Sequence, residues 1–139
     1  MILVTLSITV PPGRREEMVD AFGSLLGPVR VAPGCLACEL YQEVGYGEVL
    51  LYMEEWETPE QLEHHLRSVR YERLLAIMEA SAQPPVLRYL SIAAVNGLEY
   101  LETVRLGAGA APPLAPAKPI KEMTLQSPGR EANAQPCDS

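Results

Sequence analysis

The 139-residue sequence contains no apolar run approaching the roughly 18 residues of a membrane-spanning helix. The apolar start Met1-Ile2-Leu3-Val4 has neither a basic lead-in nor a small-residue cleavage site, so no leader is expected and a cytoplasmic location is. Basic residues are few. Eleven Lys and Arg against eighteen Asp and Glu give a net charge of −7, which excludes the basic surface that nucleic acid or an anionic membrane requires. There is no Gly-rich phosphate loop, no dinucleotide fingerprint and no Ser-His-Asp signature, so no nucleotide cofactor is expected. Cysteine is limited to Cys35, Cys38 and Cys137. The Cys35–Cys38 spacing is that of a redox or zinc pair, but on a strand residues three apart face opposite ways, and zinc needs further ligands. Free thiols and no metal are therefore expected. Phe and Trp are each present once, beside six Tyr.

What is present reads as a single folded domain over residues 1–106. Ile2, Val4, Leu6, Ile8 and Val10 alternate with more polar neighbours, predicting a strand that ends at Pro11-Pro12-Gly13. Arg14-Arg15-Glu16-Glu17 opens a helix whose Met18, Phe22, Leu25, Leu26 and Val29 keep helical spacing, with Gly27-Pro28 weakening its last turn. Residues 36–43 predict a second strand, joined by Gly45-Tyr46-Gly47 to a third as an antiparallel hairpin. A further helix over residues 71–82, with Leu74, Leu75 and Met78 inward, leads to a fourth strand over 86–93. After Asn96-Gly97, residues 98–106 are expected as a fifth strand. The order βαββαβ is that of an α+β, ferredoxin-like antiparallel sheet with helices on one face. Its uncovered face predicts a homodimer closing a dimeric α/β barrel. From residue 107 to 139, Gly, Ala and Pro dominate without apolar period, predicting a disordered tail.

Residues 48–66 organise the rest. Pleating puts Leu50, Tyr52, Glu54 and Trp56 on one face of the third strand. Thr58-Pro59-Glu60-Gln61 then starts a helix, with Thr58 as cap, Pro59 at the first position and Gln61 completing a capping box. Leu62, His65 and Leu66 share one stripe of that helix, so an acid, a phenol, an indole and an imidazole converge. His64, about 100° round the helix, faces solvent, and adjacent histidines have the wrong spacing for joint metal ligation. The same residues also fit a plain structural role, with core aromatics, a solvated strand-end acid and a helix histidine bonded to a carboxylate.

Pro12-Gly13 before a charged helix start, Gly34-Cys35-Leu36 leading to Glu39-Leu40-Tyr41-Gln42, then Glu54-Glu55-Trp56, His65 and Ser68-Val69-Arg70-Tyr71 form a combined pattern. Over residues 1–93 it resembles the antibiotic biosynthesis monooxygenase family, small dimeric α/β barrels that include quinol monooxygenases. The resemblance implies oxygenation by molecular oxygen of a small aromatic, a quinol or polyketide-like anthrone, without metal, flavin or haem. It implies His65 as base and Glu54 as its orienting or charge-balancing partner, with Trp56, Tyr52 and Leu6 binding substrate. Leu6 and Tyr52 stand where some relatives carry asparagine, which disfavours haem degradation. Two alternatives share these residues: a non-catalytic dimeric barrel holding a small aromatic or apolar ligand, and a barrel that serves to dimerise its tail.

Overall fold

The computed structural model describes residues 1–45 and 47–107; the tail expected from residue 107 lies, apart from Gly107, outside them. Four strands, β1 (Ile2–Thr9), β2 (Cys35–Gln42), β3 (Val49–Trp56) and β4 (Val86–Ser91), pair antiparallel in the order β2-β3-β1-β4. Helices α1 (Arg15–Arg30), α2 (Pro59–Leu66) and α3 (Tyr71–Glu79) intervene, and α4 (Leu98–Leu106) follows. The fold is ferredoxin-like.

The alternation of β1 sorts its residues as the sequence predicts. Ile2, Val4, Leu6 and Ile8 are buried, whereas Leu3, Thr5, Ser7 and Thr9 point to the other face and are half-buried. The buried row meets Met18, Phe22, Leu25 and Val29 of α1 and Tyr71, Leu74 and Ile77 of α3 in one core cluster. Pro28 does not stop α1, because Val29 beyond it is anchored in this core at 2% exposure. In α3 the inward set is Tyr71, Leu74 and Ile77 and Leu75 is 46% exposed, which shifts the expected stripe; the helix ends at Glu79, short of the expected residue 82.

Residues 98–106 form α4 instead of the expected fifth strand. The signals for a helix outweigh the hairpin signal of Asn96-Gly97. Glu99 lies in the first turn, where its carboxylate accepts the Gly97 N–H at 2.9 Å, Arg105 lies in the last, and Gly107 closes the helix in the left-handed region at φ 63°.

Thr58 caps α2 as expected, its hydroxyl accepting the Gln61 N–H at 3.2 Å. The return bond of a full capping box is replaced. The Thr58 hydroxyl donates to Gln61 Oε1 at 3.1 Å. Just before β2, Gly34 has φ +86° and its carbonyl accepts the Glu57 N–H at 2.9 Å, tying the start of β2 to the entry of α2. A Cβ there would collide with the Gln61 side chain, whereas one on Gly13, at φ +76°, would meet nothing within 4 Å. Gly34→Ala should therefore lower unfolding free energy by about 1–3 kcal/mol and Gly13→Ala by less, read from urea midpoints; equal losses would contradict the packing argument.

Candidate active site

β3 presents Tyr52, Glu54 and Trp56 to the helices, at 1%, 1% and 0% exposure. The β2–β3 register sets Cys38 opposite Glu54, after an irregularity between Cys35 and Ala37 that re-phases β2. The cap on α2 fixes its rotation, so that Leu62 and His65 point inward while His64 is exposed.

Glu54 is the centre of the cluster. Its Oε1 accepts the Tyr52 hydroxyl at 2.7 Å and lies 3.1 Å from His65 Nε2, and its Oε2 accepts the Trp56 indole N–H at 2.8 Å. The Cys38 thiol donates to the Tyr52 oxygen at 3.3 Å. Around the imidazole, the Trp56 ring stacks at 4.7 Å and the Tyr71 ring meets it edge-on at 5.4 Å. Phe22 of α1 stacks on Tyr52 at 5.3 Å, which fixes the phenol from behind.

Burial pushes the Glu54 carboxyl up, but the bonds from His65, Tyr52 and Trp56 outweigh it and hold the group below its ordinary value. Glu54 is therefore an anion. Burial, then the neighbouring Glu54 charge, raise the Tyr52 phenol, so it stays a donor. Burial pushes the Cys38 thiol up to about 12, which removes it as a nucleophile. An ionised Glu54 needs a donor at each contact, so in its neutral form His65 carries its proton on Nε2. The lone pair then sits on Nδ1. Among the described residues Nδ1 has no hydrogen-bond partner, and it is not sealed off as a buried unpaired atom.

A cleft of about 340 Å³ reaches this cluster, bordered by Trp56 and His65 and by Pro33, Gln61, Val69 and Arg70. A separate cavity of about 360 Å³ between α1 and α3, lined by Arg14, Glu17, Met18 and Ile77, touches none of the cluster. Of the residues singled out from the sequence, Trp56 and His65 line the cleft, while Glu54 and Tyr52 stand behind them. Leu6 pairs with Tyr52 across the β1–β3 ladder and is fully buried in the core, away from the cleft. Exposed His64 also borders the cleft. Sequence reasoning missed Cys38 as a member of the network, Tyr71 against the imidazole, and Arg70 at the rim. The hairpin register, counted back from the turn, could have placed Cys38 opposite Glu54. Among the described residues no cluster of His, Cys, Asp and Glu could hold a metal ion, and no helix is long and apolar enough to cross a membrane.

The sequence model of the antibiotic biosynthesis monooxygenase family matches residues 1–77, more than half of the chain. The protein belongs to that family. This antibiotic biosynthesis monooxygenase domain has the fold of Rv0793 from Mycobacterium tuberculosis, with a TM-score of 0.63 at 20% identity, covering 69% of this chain and 98% of that one. PA3566 from Pseudomonas aeruginosa is similar at 26% identity and a TM-score of 0.59, with coverage of 67% and 94%. The Synechocystis sp. protein named Uncharacterized protein sll1783 is 24% identical over 98 residues, 70% of this chain and 67% of its own.

A carboxylate whose folded value is depressed stabilises the fold above its unfolded value of 4.5, and that contribution is lost as pH falls through the lower folded value. Glu54→Gln puts an amide N–H₂ among donors and should cost roughly 3 kcal/mol near neutrality. The gap between wild type and variant should narrow as the pH drops below 4.5. A gap constant with pH, from denaturant titrations across that range, would show that Glu54 is not ionised in the fold.

Proposed function

We propose that the protein is a cofactor-independent monooxygenase acting on an electron-rich aromatic, a quinol or polyketide-like anthrone. The observation that carries this reading is the Glu54–His65 pair, with Nε2 held by the carboxylate at 3.1 Å, Nδ1 without a hydrogen-bond partner among the described residues, and His65 bordering the cleft beside Trp56. The family match supports the class of reaction. In this role Glu54 and Tyr52 position the base, Trp56 forms an aromatic wall, and the volume of about 340 Å³ suits a ligand of two or three fused rings.

The reaction follows from a base and a dry aromatic site. Nδ1 takes a proton from the activated C–H or hydroxyl of the substrate, and the positive charge formed on the imidazole is balanced by Glu54. For a methylene substrate, the resulting carbanion passes one electron to O₂. The radical pair then joins through a C–O bond to give a peroxide anion. The imidazolium returns its proton to the peroxide; His65 then removes the second C–H proton as the O–O bond breaks, which leaves a carbonyl and hydroxide, and the hydroxide takes that proton to become water. One oxygen atom ends in the product and the other in water, with the substrate as the only reductant.

His65→Gln keeps an amide N–H toward Glu54 and removes the base. Oxygen uptake with a panel of quinols and anthrones should fall by roughly 10²-fold in kcat with KM little changed, and full activity in the variant would refute the assignment.

The reading includes a homodimer. Leu3, Leu51 and Met53 line the sheet face opposite the helices and are half-buried, an apolar surface that a second sheet would cover. Sedimentation at micromolar concentration should give a dimer mass; a compact monomer would remove this part of the proposal.

A further inference from the structure

The rim of the cleft has a charge unlike the rest of the chain. Although acids outnumber bases eighteen to eleven, the residues bordering the cleft include Arg70, His64 and His65 and no Asp or Glu. The Arg70 side chain has one hydrogen bond among the described residues, from Nη1 to the Pro28 carbonyl at 3.0 Å, and no carboxylate among them pairs with it. That bond sits at the end of α1, where the carbonyl lacks a helical donor, and it holds the guanidinium at the rim with its other nitrogens unengaged. Gln61, also on the rim, accepts the Thr58 hydroxyl at Oε1 and has no partner for its amide N–H₂ among the described residues. Glu54, behind His65 and 1% exposed, makes the inner end of the cleft negative. The cleft is thus polarised, with its anion inside and its cation at the mouth.

We infer that this cleft selects aromatic substrates bearing a carboxylate, which docks on Arg70 and the Gln61 amide at the rim while the acidic hydroxyl or C–H end points inward to His65. The inference rests on the reading of the cleft as the substrate site. It adds an orientation: a carboxylate turned inward would meet Glu54, so one end of the ligand is set by charge and the reactive end is delivered to the base. A guanidinium suits this task because it offers two parallel donors to a planar carboxylate.

The test uses ligands that cannot turn over. The indole N–H of Trp56, the only tryptophan, lies in the site and gives a single reporter resonance for titrations of the full chain with 2-naphthoate and its neutral match, 2-naphthamide. At neutral pH the naphthoate should bind roughly tenfold more tightly. Arg70→Gln should abolish that preference and leave the naphthamide Kd unchanged, with Arg70→Lys retaining part of it. In the wild-type protein the preference should shrink in about 0.5 M salt, a reading that does not require any variant to fold. Equal affinity for the two ligands, or a preference untouched by Arg70→Gln and by salt, would overturn the inference while leaving the His65 assignment standing. A variant that loses thermal stability but keeps the preference would show Arg70 to be only a cap for α1. If neither ligand moves the indole resonance, the cleft is not the substrate site and the functional reading falls with the inference.

Discussion

A carboxylate in the interior has to be answered by donors, and the arrangement around Glu54 is the consequence. At 1% exposure it is bonded from β3 itself by Tyr52 and Trp56 and from α2 by His65. Removing an ion from water costs several kcal/mol unless its lone pairs are satisfied, so the positions of these partners are set jointly and with little slack. Phe22 behind Tyr52 and Tyr71 beside His65 extend that constraint into α1 and α3. The polar cluster is thereby locked into the apolar core and does not float in a solvated cavity.

The same constraint produces the chemical asymmetry of the imidazole. One ring nitrogen is committed to the carboxylate, and the other has no hydrogen-bond partner among the described residues. The buried thiol and phenol are held protonated and form a relay of donors, Cys38 to Tyr52 and Tyr52 to Glu54. His65, Trp56 and Arg70, which all border the cleft, come from three different segments of the chain.

Much of this was legible in the sequence because it is periodic or local. The two-residue period of β1 and β3 identified the face carrying Tyr52, Glu54 and Trp56, and the Thr58-Pro59 start set the helix phase that turns His65 in and His64 out. What escaped depended on registers and competing end signals. Cys38 joins the network through the hairpin pairing and the irregularity that precedes it, which no single-segment pattern contains. Residues 98–106 carry β-prone residues and a turn dipeptide, yet the Glu99, Arg105 and Gly107 end signals make them a helix. Leu6 lies next to Tyr52 in the ladder but is sealed in the core, since adjacency along a strand pair says nothing of access to a cavity.

The sequence by itself determined the element order through β4, the antiparallel hairpin, the helix-covered face of the sheet and the inward stripe of α2, because each follows from backbone geometry over a few consecutive residues. Only the tertiary structure decided that Glu54 is ionised under three donors, which nitrogen of His65 meets Glu54, and that Arg70 borders the cleft. Those outcomes depend on distances between segments far apart in the chain, and a proton's position or a charge's partner is set by such distances and by burial, neither of which a one-dimensional pattern contains.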